Sequence, residues 1–304
     1  MWRGPQRETT ATTTLQLMRI RFLALCFLIL ASACGGTITT TSATRPDATV
    51  ASGPSTTEAG VGVPCLEGSS GFFGDGPLGS HTRDAADAAT VTGLALLRFD
   101  GCERLTVELA AASGAPATSL GTTSAELIRR SGVVRIHLDP SVANTTVSDL
   151  VFDGSWIGPV YVVRDFDESL FIDVHLADAA VARFSEISNP ARLVVDIAPG
   201  GSELLGPERS DFIVVMPLPE SLSPPVTIEG YGRTFEANII LRARVAGEIV
   251  AEDFTTATDY LGTWGRFEIA LPPTVTGELE LFIGEDSARD GEEQGIRLQV
   301  TVEG

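Results

Sequence analysis

The chain has 304 residues, 43% of them hydrophobic and 20% charged, enough apolar mass for two domains of ordinary size. Acidic residues number 40 against 21 basic ones, a formal net charge of −19. That excess argues against nucleic acid, whose phosphates need a basic footprint, and against bulk attraction to anionic lipids or wall polymers. All 21 basic residues are Arg; GC-rich coding is a simpler account of this than selection for planar bidentate contacts.

The N-terminal segment has the order of a secretory signal. Met18-Arg19-Ile20-Arg21 is a basic opening, Phe22 to Leu30 is an apolar run, and Ala31-Ser32-Ala33 supplies small residues before Cys34. The run is too short to span a bilayer, which needs about 20 apolar residues. Residues 1–17 are polar and carry no export logic, so Met18 reads as the true start. Small residues followed by Cys34-Gly35-Gly36 resemble a bacterial lipobox, although Ala31 stands where Leu is usual and Leu30 lies one place earlier. The resemblance implies cleavage after Ala33, diacylglycerol on the Cys34 thiol and acylation of the new amino terminus. More than one acyl chain gives stable anchoring without a membrane-spanning helix, here to the outer face of the cell membrane. An ordinary signal peptide and an uncleaved anchor are the alternatives.

Residues 34–87 read as a lipidated, mostly disordered tether. From 35 to about 63 the composition is Thr, Ser, Gly, Ala and Pro, which cannot bury enough apolar surface to offset the entropy of ordering. Residues 66–87 form a glycine-rich lead-in in which Asp84 to Ala89 suggest a short helical turn. Of the four Cys, Cys26 leaves with the signal and Cys34 is the lipid site. Cys65 and Cys102 remain, and two Cys in an exported chain read as one disulfide. In the chain-entropy model a loop of this length contributes roughly 3–4 kcal/mol. A reactive thiol pair would be the functional alternative, but CxxC spacing and a nearby His are both missing.

From about residue 90 the hydrophobic period is two, which marks half-buried strands. Leu105, Val107 and Leu109 alternate with Arg104, Thr106 and Glu108; Val134, Ile136 and Leu138 with Arg135 and His137. Val151 and Phe152 begin a further short strand. Tyr161 and Val163 alternate with Val160 and Val162; Leu170, Ile172, Val174 and Leu176 with Phe171, Asp173 and His175; Leu193, Val195 and Ile197 with Val194 and Asp196. Turn residues punctuate the series at Asp100-Gly101 and between Asp165 and Ser169. Residues 88–199 are therefore expected to form one antiparallel β-sandwich and 200–207 a linker opened by Pro199-Gly200-Gly201. A second series follows at Phe212–Met216, Thr227–Tyr231, Ala237–Val245, Glu248–Phe254, Arg266–Leu271, Glu278–Ile283 and Ile296–Val302. Seven short strands over 208–304 suit an immunoglobulin-like sandwich. The fold class is thus all-β, with two antiparallel sandwiches after a signal and a tether.

Two stretches carry family resemblances. Ser188-Asn189-Pro190-Ala191-Arg192-Leu193-Val194-Val195-Asp196-Ile197 resembles the close of AMIN domains, the β-sandwich modules of bacterial cell-wall amidases and secretin-type channels. Leu96 to Leu109 resembles the opening of the AMIN-like variant in exported actinobacterial proteins, with Glu103-Arg104 where an Asp-Arg pair is usual. The resemblance covers about residues 90–199 and implies binding to, or localisation at, peptidoglycan. Val226 to Asn238, and within it Gly230 to Asn238, resembles the immunoglobulin-like domain of bacterial spore-germination and sporulation proteins. Trp264-Gly265-Arg266-Phe267 and the acidic segment from Asp286 to Gly291 fit the same pattern. That family is an accessory module and implies no catalysis.

No catalytic constellation stands out. The three His (His81, His137, His175) are scattered, whereas a zinc amidase needs closely spaced His and Glu ligands. A GxSxG elbow is lacking. Asp165, Asp167 and Glu168, like Asp286, Asp290, Glu292 and Glu293, read as solvated loops before they read as calcium sites, since the twelve-residue ligand loop is missing. No cofactor or metal is expected. The most suggestive binding residue is Trp156, in a Gly-flanked turn where an aromatic ring can stack on a sugar; Tyr161 and Arg164 on the next strand support it as glycan-binding candidates. The competing reading has Trp156 plugging the open end of the sandwich. The sequence therefore points to a non-catalytic envelope lipoprotein that binds peptidoglycan or another wall glycan through its first sandwich. The alternative is an envelope scaffold that binds a protein partner through a sandwich surface, since exposed sheet edges suit strand addition.

Overall fold

The computed structural model describes Cys65, residues 71–83 and residues 85–304. The export segment, Cys34 and most of the tether lie outside the described residues. The described chain is nearly all β: its helical structure is two three-residue 3-10 turns, Arg129–Ser131 and Phe235–Ala237. In chain order the strands are β1 (Gly76–His81), β2 (Ala88–Phe99), β3 (Cys102–Ala111), β4 (Thr123–Ile128), β5 (Val133–His137), β6 (Asn144–Thr145), β7 (Asp149–Leu150), β8 (Ile157–Arg164), β9 (Leu170–Leu176), β10 (Ala180–Ile187) and β11 (Arg192–Pro199). There follow β12 (Glu208–Arg209), β13 (Ile213–Val215), β14 (Ser221–Leu222), β15 (Val226–Gly232), β16 (Asn238–Val245), β17 (Glu248–Thr256), β18 (Trp264–Leu271), β19 (Gly277–Asp286) and β20 (Glu293–Val302).

Three sheets result. One has the order β10-β11-β3-β2-β6 and another β14-β20-β19-β16-β17. The third runs β1-β4-β5-β9-β8-β18-β15-β13-β12, with β7 beside β8. Its first half packs on the first sheet, its second half on the second, so two sandwiches share one continuous sheet. In the first core, Leu105, Val107 and Leu109 meet Val134, Ile136, Ile172 and Val174. In the second, Ile228, Phe267 and Ile269 meet Ile239, Leu241, Leu281 and Ile283. These are alternate positions along their strands, the packing that period two requires.

The seven strands of the second series occur where the hydrophobic pattern placed them. The first sandwich adds β4 and β10, which no alternation marked, and departs from expectation in three further places. Residues 76–81, expected in the loose lead-in, form β1 and pair antiparallel with β4, from Gly76 opposite Leu127 to His81 opposite Thr123. The expected turn of helix at Asp84 to Ala89 is absent among the described residues. Ala88 already begins β2, and the Asp87 carboxylate accepts hydrogen bonds from Thr118 N (2.9 Å) and Ser119 N (2.8 Å). The short strand expected at Val151 and Phe152 is instead β7 at Asp149–Leu150, paired with Tyr161 and Val160. Nor are all pairings antiparallel: β2–β6, β14–β20 and β8–β18 are parallel.

The outer face of β3 is buried as well as its inner face. Arg104 meets Asp196 through two hydrogen bonds, Nε to Oδ1 at 2.6 Å and Nη2 to Oδ2 at 3.0 Å, and Arg183 Nη2 reaches the same carboxylate at 2.6 Å. Bidentate geometry and a second guanidinium compensate the desolvation of Asp196. Beside this group the Cys65–Cys102 disulfide, with Cα atoms 6.4 Å apart, packs with Phe72, Phe99, Val181 and Ala198. The bridge closes a loop of 37 residues. Removing it in a Cys65→Ala, Cys102→Ala variant should lower the unfolding free energy by roughly 3–4 kcal/mol in urea titration; thiol titration of the denatured, unreduced chain should find neither of the two thiols free.

Candidate functional site

The junction of the sandwiches is built on β8 and β18. These strands pair in parallel, Trp264 opposite Val163 and Gly265 opposite Arg164. A Cβ at Gly265 would lie 2.2 Å from the backbone N and O of Asp259, so only glycine lets the 258–263 loop close over the crossing. That loop is wound around one carboxylate. Asp259 Oδ1 accepts from Tyr260 N (2.6 Å) and Leu261 N (3.0 Å), and Oδ2 from the Thr263 hydroxyl (2.8 Å). Burial opposes the charge, but these donors outweigh it and hold the Asp259 pKa at about 2. Arg164 Nε then reaches Asp259 Oδ2 at 3.3 Å, and the Thr258 hydroxyl donates to Arg164 O at 2.6 Å. Arg266 bridges back to Asp165 at 3.0 Å and Arg233 to Asp149 at 3.1 Å.

Beneath these polar ties lies an aromatic cluster of Tyr161, Val163, Phe171, Val214, Tyr231 and Trp264. Tyr161 stands edge-on to Trp264 with ring centroids 4.7 Å apart, and 5.3 Å from Tyr231, separations at which aromatic pairs attract beyond their buried area. His175 packs against Tyr161 and Tyr231 of the same cluster and is buried. Its strand position does face out of the first sandwich, but the second sandwich covers that face. The ring hydrogen-bonds the Tyr231 hydroxyl through Nε2. Burial pushes the His175 pKa down to about 4, against the pull of Asp173 and with help from Arg209 and Arg135.

A cleft of about 510 Å³ opens on this cluster, lined by Asp149, Val151, Tyr161, Arg209, Ser210, Asp211 and Trp264. Tyr161 and Trp264 are 4% and 3% exposed and form its floor. Burial pushes the Tyr161 hydroxyl up, against a hydrogen bond with Arg209. The Trp264 Nε1–H is buried and finds no acceptor among the described residues, the kind of unsatisfied donor that folded interiors rarely keep. Arg209 and Asp211 are exposed on the rim. A second groove of about 520 Å³ runs between Arg130, Val133 and the Met216–Pro219 loop. It has no aromatic wall, and its Arg135 and Glu229 are already paired with Asp173 and Arg266.

The three glycan-binding candidates are not brought together. Trp156 is half-buried and packs against the first core. Its turn is held by Glu103, whose buried carboxylate accepts from the backbone N–H of Ser155 (2.7 Å), Trp156 (3.0 Å) and Ile157 (2.8 Å). Tyr161 lies on the junction floor and Arg164 is tied to the Asp259 loop, so neither supports Trp156. Trp264, marked in the sequence only as part of a family pattern, and Arg209 and Asp211, which carried no signal there, sit with Tyr161 instead. The acidic loops are also engaged: Asp165 with Arg266, Asp286 with Arg242, and Glu293 with Arg242, Arg244 and Arg297.

Because folded His175 stays neutral down to about pH 4 while the unfolded ring protonates near 6.5, the unfolded chain binds more protons between those values. The stability that neutral His175 contributes is complete above pH 6.5 and is lost as pH falls towards 4, by about 3 kcal/mol. Thermal melts between pH 7.5 and 4.5 should therefore fall more steeply for the wild type than for His175→Gln.

Neither the curated proteins nor the solved structures contain a match to the chain. Residues 213–292, from β13 through β19, match the family model of the immunoglobulin-like domain of bacterial spore germination, so the second sandwich is immunoglobulin-like.

Proposed function

We propose that the protein is a non-catalytic module of the cell envelope, lipid-anchored through Cys34, that holds a polyhydroxylated wall glycan in the cleft between its sandwiches. The observation that carries this reading is the cleft itself: an aromatic floor with one ring from each sandwich, Tyr161 and Trp264, beneath the polar side chains of Asp149, Arg209 and Asp211. A glycan offers hydroxyls that both donate and accept. At the mouth of the cleft Asp211 and Asp149 are acceptors, and Arg209 supplies a planar fork of donors. The likeness of Ser188–Ile197 to the close of AMIN domains supports the same reading. A net charge of −19 makes the bulk field repel wall anions, so retention has to come from short-range hydrogen bonds and ring contacts.

Co-sedimentation of the full chain with insoluble peptidoglycan tests this. Retention should be similar at low and high salt, and should fall about tenfold or more in Arg209→Ala and Asp211→Ala, each of which removes a charge-assisted hydrogen bond. Asp211 is on the exposed rim, so its variant should keep its melting temperature; Arg209→Ala also removes the bond to the Tyr161 hydroxyl and should melt slightly lower. Loss in Trp156→Ala alone would move the site to the 153–157 turn. Absence of wild-type retention at either salt would sink wall binding.

A further inference from the structure

The edges of the three sheets are not alike. β6, β12 and β14 are two-residue strands. β1 has a register break between Pro77 and Gly79. β10 is covered by Phe73, which exchanges backbone hydrogen bonds with Ala182 at 2.9 Å in both directions. Such shortening, bulging and covering are the usual ways of blunting an edge. β17 is different. It has nine residues, pairs with β16 on one side, and has no strand on the other among the described residues. Its alternate N–H and C=O groups point away from β16. Along it, Ile249 (51%), Val250 (50%) and Phe254 (72%) are exposed, an apolar row on an open backbone template.

The register fixes what an added strand would meet. Phe254 lies opposite Ile240 and Glu252 opposite Arg242, on the outer face; Ala251 lies opposite Ala243 and Asp253 opposite Leu241, on the core-facing side. A shift between Ala243 and Arg244 leaves Val250 without a partner and brings Ile249 opposite Arg244. That bulge disfavours indiscriminate pairing and admits few registers. The charged residues of β17 are Glu248, Glu252 and Asp253, all acidic. Glu252 is held by Arg242 at 2.5 Å, and Glu248 and Asp253 are exposed on the strand. A second copy would bring three more carboxylates to the same edge, and like charges placed across a strand pair are destabilising, in a chain already at −19.

We infer that β17 is a docking edge for an extended, cationic segment of a partner protein, which adds as a strand and alternates basic with apolar side chains. Main-chain hydrogen bonds supply the template; Ile249, Val250 and Phe254 take the apolar side chains, and Glu248 and Asp253 the basic ones. This surface is on the second sandwich and independent of the junction cleft.

The test uses the full chain with a synthetic peptide of about nine residues alternating Lys with Val, and a counterpart with Glu for Lys. The Lys peptide should bind by fluorescence anisotropy and slow hydrogen exchange at β17. Binding should weaken about tenfold or more in Ile249→Lys and Phe254→Lys, charges of the kind that blunt natural edges, with unchanged melting temperature because both side chains are exposed. In Glu248→Lys, Asp253→Lys the preference should reverse towards the Glu peptide. Binding of neither peptide, equal binding of both, or concentration-dependent protection of β17 without peptide would overturn the inference, the last by assigning the edge to a second copy. Peptidoglycan co-sedimentation of the same variants reads the cleft separately, so either proposal fails without the other.

Discussion

The parallel pairing of β8 with β18 is the constraint on which the rest of the molecule depends. Two residue pairs, Trp264–Val163 and Gly265–Arg164, turn two sandwiches into neighbours in one sheet. So short a ladder would be weak by itself. Its surroundings hold it: Tyr161, Val163 and Phe171 on the outward face of β8 and β9, with Asp173 and His175 beside them, are buried where β13, β15 and β18 bring Val214, Tyr231 and Trp264 against that face. Domain interfaces within a chain are usually polar and permissive of motion. Here a desolvated aromatic centre, a neutral buried His175 and a ring of ion pairs oppose independent movement of the sandwiches. The cleft is a consequence of the same arrangement, since its floor is composed of one ring from each side.

Arginine carries the electrostatics of this acidic chain. Asp196 sits between Arg104 and Arg183, Asp173 is gripped by Arg135 at 2.8 and 2.7 Å, and Arg242 gathers Glu252, Asp286 and Glu293 on the outer face of the second sandwich. A planar fork can satisfy a carboxylate bidentately where a point charge cannot. The guanidinium carbon of Arg135 also lies 4.3 Å from the ring centroid of Phe171, and that of Arg297 lies 5.3 Å from the Phe282 ring, where cation–π attraction contributes. Several of these guanidiniums therefore cover apolar side chains while they pair acids. With the basic groups so engaged, the excess of negative charge remains on the surface, as at Glu248 and Asp253.

The second sandwich was legible in the sequence because strands such as β15, β16 and β18 alternate buried and exposed side chains and its turns are marked by Gly and Pro. Gly230 shows why its motif is informative: a Cβ there would lie 2.2 Å from Val214 O, so the residue reports a close strand contact. The first sandwich was read less completely. β10 presents Ala180, Ala182 and Phe184 inward, and Ala is a weak strand signal; β1 is rich in glycine and resembles a linker. The site was harder still. Period two puts Tyr161 and His175 on the outward face of their strands, and an outward position suggests exposure. That inference holds for a lone sandwich and fails when a second one docks on the same face. Trp264 was noticed as part of a family pattern, but nothing local says that its partner ring lies about a hundred residues earlier, at Tyr161.

The two proposed surfaces place opposite demands on the same charge. In the cleft, the field of an acidic protein repels an anionic wall polymer, so recognition has to rest on desolvated, directional contacts that outlast screening. At β17 the same field attracts a cationic segment and would raise its association rate at low ionic strength, while the backbone template and the Phe254 row govern how long it stays. A rigid junction lets both operate at once. Because the sandwiches share a sheet, the distance and orientation between cleft and edge are fixed by covalent and hydrogen-bonded structure. The second of two linked contacts then forms at a high effective concentration whenever their geometry matches.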